Sequence, residues 1–137
     1  MARAPFAALL LAAVAVAGCG ASTASEDTSD RFQGQQRLVA NTVENLQGAA
    51  EDSDQNKICR DIVSRSLNRR LSRQGPCPVT VNAALEDTDS NELDTRSVRI
   101  SGDRATARVR MDLGDTQRFS NLSFVRERNG WRIDSFG

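Results

Sequence analysis

The apolar residues of this chain change period once, from helical spacing to alternation, and that single change fixes the fold class. Phe32, Val39, Val43, Leu46 and Ala50 recur at separations of seven, four, three and four, which sets them on one helical face. Asp30 and Gln33 have the spacing of a capping box, so the pattern predicts a first helix from near residue 31 to near Glu51. Asp54 is a candidate cap for a second helix carrying Ile58, Ile62, Val63, Leu67 and Leu71, which Gly75-Pro76 stops. Pro78 suits the first turn of a third helix with Val79, Ala83 and Ala84 inwards. An extended Val79-Thr80-Val81 fits the same residues.

After Leu93 the period is two. Val98 and Ile100 alternate with Ser97 and Arg99, and Gly102-Asp103 turns the chain into Ala105, Ala107, Val109 and Met111, which alternate with Thr106, Arg108 and Arg110. Gly114-Asp115 leads into a third strand, Thr116 to Arg126, and Asn129-Gly130 into a fourth, Trp131 to Ser135. Phe119 and Leu122 fall on opposite faces by strict alternation, so a bulge or bend is expected between them. The fold class that follows is α+β, with N-terminal helices packed on a curved four-stranded antiparallel sheet.

The length of 137 residues is that of one domain. The chain has 18 basic and 18 acidic side chains, and this neutrality argues against nucleic acid, which demands a basic surplus to release counterions. His and Tyr are absent, which removes the commonest general base and leaves metal binding without imidazole partners. Every basic side chain but Lys57 is Arg, and Ala is abundant. A G+C-rich coding sequence produces that bias and points to an actinobacterial type of source.

Arg3 precedes the uncharged apolar run Phe6 to Ala17, which has the make-up of a signal-peptide core. A permanent span needs about 20 apolar residues, and this run is shorter. It closes on Val16-Ala17-Gly18-Cys19, which resembles the lipobox of bacterial lipoproteins. The resemblance implies a signal peptide over residues 1–18, a diacylglyceryl group on the Cys19 thiol, and an extracytoplasmic protein held to the cell membrane by lipid. Acyl chains contribute about 0.8 kcal/mol per buried CH₂, so the anchor needs no amphipathic helix beside it. Residues 19–30, polar after the cysteine, read as a flexible tether, and residues 31–137 as the domain. In an exported chain with Cys19 acylated, Cys59 and Cys77 are the thiols left over, and they are expected to form a disulfide.

The early helix, the Cys59 and Cys77 pair flanking Leu67, Arg69, Arg70 and Leu71, the segment from Val98 to Ala107, and the ending Val125 to Asp134 with its Asn129-Gly130-Trp131 together resemble small actinobacterial lipoproteins of the NTF2-like (SnoaL-type, cystatin-like) superfamily. That resemblance implies a cone whose helices and sheet enclose a cavity. In such a cone Val98, Ile100, Ala107, Val109, Phe124 and Trp131 face inwards as cavity lining, or else as ordinary core. Enzymes of that superfamily place an acid, a His or a Tyr inside the cone. Here Glu44, Asp61, Asp94, Asp112, Asp115 and Asp134 are the carboxylates available, each with a cheaper account as a cap, turn or solvent-face residue. Arg99, Arg108, Arg110, Arg118 and Arg132 are expected along the outer sheet face, as a solvated face with cross-strand ion pairs or as a basic stripe. The reading that results is a non-enzymatic lipoprotein without cofactor or metal, binding a small apolar ligand or an envelope protein partner. The alternatives are an enzyme with a carboxylate in the cone and a docking subunit of an envelope complex.

Overall fold

Residues 28–86, 92–113 and 115–137 are described by the computed structural model. The leader, Cys19 and most of the tether lie outside the described residues, as does Gly114 of the second expected turn. The first described residues, three before the expected domain start, form the 3-10 turn Thr28–Arg31, which Glu44 binds. Its carboxylate accepts from the Ser29 amide at 2.7 Å and from the Ser29 hydroxyl at 3.0 Å, and Ser29 is buried.

Helix α1 spans Gly34–Glu51. The expected capping box does not form: Gln33 is the N-cap without a side-chain bond, and Asp30 pairs instead with Arg37 at 2.7 Å. The inward face carries Val39, Val43 and Leu46 as the spacing predicts, joined by Ala40 and by Ala49 in place of the expected Ala50, which is only partly buried, and Phe32 is partly buried against the same core.

The expected continuous second helix is broken. Asp54 caps a single turn, α2 (Gln55–Lys57), its carboxylate accepting from the Lys57 amide at 3.0 Å. The chain then passes through a π turn, Ile58–Ile62, goes extended at Val63 and Ser64, and restarts as α3 (Arg65–Leu71). The break has a tertiary cause. Val63 makes a parallel bridge to Ile133, and the Ser64 amide donates to the Ile133 carbonyl at 2.8 Å, so a sheet edge takes the backbone groups that a helix would have used. The Ser64 hydroxyl then caps α3 by accepting from the Leu67 amide at 2.9 Å. Helical periodicity survives across the break because Ile58, Ile62, Val63 and Leu67 are all buried.

Helix α4 spans Cys77–Glu86, so the helical alternative for this segment holds and the extended one does not. Its inward face is shifted from expectation. Cys77 and Val81 are buried one turn apart, whereas Val79 is 63% exposed and Ala83 and Ala84 are exposed. The Cys59–Cys77 disulfide ties the π turn to the start of α4 and sets that register.

The strands β1 (Glu92–Ser101), β2 (Arg104–Leu113), β3 (Thr116–Glu127) and β4 (Gly130–Phe136) form one antiparallel meander in chain order. Ser101 pairs with Arg104 across a two-residue turn in which Gly102 has a φ of +60°, a conformation that glycine takes without strain. The last turn is one residue earlier than expected: Glu127 pairs with Gly130, leaving Arg128 and Asn129 at its centre. No irregularity separates Phe119 from Leu122, since β2 and β3 pair without a register shift. Phe119 simply stands on the outer face, 52% exposed, with the Arg108 guanidinium 4.5 Å from its ring centroid. The bulges lie elsewhere, between Thr95 and Ser97 in β1 and between Ser123 and Phe124 where β3 meets β4.

Both open edges of the sheet are covered by the N-terminal half of the chain. On β1, Gln47 accepts from the Leu93 amide at 2.9 Å and Gln36 donates to the Val98 carbonyl at 3.1 Å. On β4, Thr42 donates to the Trp131 carbonyl at 3.3 Å. One helix therefore reaches both edges of a four-stranded sheet, which requires the sheet to curl around it. These side chains cap individual edge groups and so lessen the capacity of both edges to pair with other chains.

Candidate functional site

The curl closes tightly over the middle of the sheet and leaves it open at one end. Val98, Ala107, Val109, Phe124 and Trp131 all fall in one buried cluster with Val39, Val43 and Ile133 from α1 and β4, and Ile100 packs against its margin. Ala107 is fully enclosed, and the Trp131 indole donates to Gln35 at 2.9 Å. Helix α1 lies along the inner face at these positions, so the room beside the small Ala105 and Ala107 belongs to the core.

The concave apolar space is displaced toward the C-terminal end of α1. A pocket of about 740 Å³ is lined by Leu46 and Ala50 of α1, Ile58 of the π turn, Leu71 at the end of α3, and Val79, Val81, Ala84 and Leu85 of α4, with Leu93, Met111 and Phe136 closing the sheet side. Ligand pockets generally fall in the range of about 300–1,000 Å³. Polar groups are few along the wall: Gln47, Glu51, Gln74 and Thr80. Gln47 is already engaged, donating to Glu51 at 2.9 Å and accepting from Leu93. Sequence reading missed this site because it assigned Val79, Ala83 and Ala84 to core contact. Their exposure follows from α4 being pinned by Cys77 and Val81, which turns the small residues toward the opening.

The candidate carboxylates are dispersed. Glu44 holds Ser29, Asp61 pairs with Arg60 at 3.2 Å, and Asp134 accepts from Ser64 at 2.6 Å and pairs with Arg104 at 3.3 Å. Asp94 is the most enclosed, surrounded by Arg31, by Arg96 at 2.9 Å and by Arg110 at 3.5 Å. Burial opposes its ionisation, but hydrogen bonds and charges from Arg96 and Arg31 outweigh that cost and hold it below the ordinary aspartate range. Asp61 is likewise lowered by its hydrogen bond to Arg60. Both are ion-paired anions, the opposite of a carboxyl tuned for proton transfer. Among the described residues no group of three or more Cys, Asp or Glu side chains is gathered for a metal ion.

The expected outer-face arginines divide. Arg99, Arg108, Arg110 and Arg132 pair across the sheet with Thr106, Ser97, Asp94 and Val125 on the outer face, whereas Arg118 lies opposite Met111 and so belongs to the inner face at the pocket end.

These features define an α+β domain in which helices fill a curved antiparallel sheet and leave an apolar pocket at one end. In fold it is similar to a SEC-C motif containing protein from Rhodopseudomonas palustris, with a TM-score of 0.51 at 16% identity over 80% of this chain and 84% of that one. A Campylobacter jejuni protein described as an NTF2-like transpeptidase aligns with a TM-score of 0.48 at 17% identity, covering 69% of this chain and 95% of the other. No family model and no curated protein matches the sequence.

Proposed function

We propose that the chain is a lipid-anchored extracytoplasmic lipoprotein whose NTF2-like domain binds a small apolar molecule without catalysing a reaction. The observation that carries this reading is the pocket of about 740 Å³ between α1, α4 and the sheet end, walled by Leu, Val, Ala, Met and Phe side chains. Glu51, the carboxylate among its lining residues, is exposed at the opening and bonded to Gln47, where it is poorly placed for acid–base work. The paired state of Asp94 and Asp61 favours the same reading over an enzymatic one.

The pocket is tested with an uncharged dye that fluoresces in apolar surroundings, N-phenyl-1-naphthylamine. The parent chain is expected to bind it saturably. Ala84→Trp, which adds a large side chain at an exposed lining position, is expected to weaken binding about tenfold or more while leaving the melting temperature unchanged. Equal dye binding by the variant, or none by the parent, would remove the ligand-binding reading.

The anchor rests on Val16-Ala17-Gly18-Cys19 and is separable from the pocket. Cys19→Ala is expected to abolish the mass added by lipid and to shift the protein out of the detergent phase on phase partitioning. An unchanged mature mass in the membrane fraction would show that Cys19 carries no lipid.

A further inference from the structure

We propose that the cleft between the Ile58–Ile62 turn with α3 on one side and the β3–β4 hairpin on the other is a binding site for phosphate groups. It lies apart from the apolar pocket, has a volume of about 740 Å³, and is lined by Arg60, Arg65, Arg69, Arg128 and Arg132 together with Asn68 and Asn129. Five arginines lining one concavity stand out in a chain with 18 basic and 18 acidic side chains.

The local acids neutralise one of the five, Arg60, and leave the others. Glu127, the carboxylate in the lining, is spent on the start of α3, accepting from the Arg65 amide at 2.8 Å. Asp61 lies outside the lining and is paired with Arg60 at 3.2 Å. Arg132 donates to the Arg60 carbonyl at 3.2 Å. Among the described residues the guanidinium groups of Arg65, Arg69 and Arg128 have no ion pair or hydrogen bond. Arg65 and Arg69 are four apart on α3, a spacing at which like charges destabilise a helix. Arg73, Arg99 and Arg118 also lack a side-chain partner among the described residues, but none of them lines this cleft, so what sets Arg65, Arg69 and Arg128 apart is that they share one concavity.

The chemistry of the unmet groups selects the ligand class. Each guanidinium is a planar, weakly hydrated fork that binds oxyanions two bonds at a time. A carboxylate has two oxygens and one charge, too few to satisfy three guanidinium groups that line one cleft. A phosphate group supplies the additional oxygens and charge. The same group is offered by a soluble polyphosphate and by an anionic lipid headgroup, and the two sources are distinguished by experiment.

The whole chain is held in discs of zwitterionic phosphatidylcholine, and the Nε–H signals of its arginines are followed by NMR as inorganic tripolyphosphate is added. In a second arm the discs contain phosphatidylglycerol and no phosphate is added. Saturable shifts at Arg65, Arg69 and Arg128 with tripolyphosphate support the site with a soluble source. Shifts confined to the phosphatidylglycerol discs support it with a headgroup source. In either arm R69E/R128E, at two exposed positions, is expected to lower affinity about tenfold or more with backbone signals of β2 and β3 unchanged. The proposal fails if neither arm moves these signals, or if Arg73 and Arg99 outside the cleft shift as much as Arg65, Arg69 and Arg128. Localisation of the shifts in the parent decides the matter even if the double variant does not fold.

Discussion

Phe124→Ala is expected to cost about 3–5 kcal/mol, the range for truncating a buried aromatic side chain, and to be among the most damaging single changes in the sheet. Phe124 is 1% exposed, pairs with Ala105 on one side and Ile133 on the other, and faces the core by regular alternation with Leu122 along β3. Its small neighbour Ala105 leaves no side chain able to expand into the vacated space, so most of the cavity remains. A domain of this size has about 5–15 kcal/mol in total, so the variant would lose a large share of its stability. The check is urea unfolding, with the midpoint falling and the slope unchanged. Phe119→Ala is the internal control: that ring is 52% exposed under Arg108, and its loss should cost about 1 kcal/mol or less. Similar losses for the two variants would mean that the β3 faces are reversed.

The contrast between these phenylalanines shows how far the sequence could be read. Alternation placed Ala105, Ala107 and Val109 on one dry face, the cone resemblance added Phe124, and the structure buries all four. The same alternation put Phe119 and Leu122 on opposite faces, and expecting both to be inward argued for a bulge or bend that β2–β3 pairing does not contain. The Arg108 guanidinium over the ring, reached only because β2–β3 pairing sets it one diagonal step from Phe119, is what makes the exposed ring tolerable. Helix interruption at Val63-Ser64 was equally hidden, since the Ile58-to-Leu71 spacing is continuous and the interruption comes from Ile133, far along the chain. The pocket escaped for a related reason. Its walls come from α1, the π turn, α3, α4 and three strands, and only the placement of α4 by its disulfide decides which of its small residues stay uncovered.

Reducing the Cys59–Cys77 disulfide is expected to remove about 3 kcal/mol of stability, because a bond closing a loop with a sequence separation of 18 restricts the unfolded chain by roughly that amount. Both cysteines are buried, so the bond is also part of the core between the π turn and α4. The loop it closes contains α3, a seven-residue helix too short to persist alone and held at its start by Ser64. At its end the Leu71 carbonyl accepts from Thr80 of α4 at 3.3 Å, so α3 depends on α4 staying in place. Loss of the bond should therefore act unevenly. Hydrogen exchange in the reduced protein, or in Cys59→Ala/Cys77→Ala, is expected to accelerate first at α3 and α4, while the paired amides of β2 and β3 stay protected until the whole domain opens. A uniform acceleration across helices and sheet would show that the bond acts on the unfolded chain alone, and an unchanged melting temperature would show that it contributes nothing to the fold.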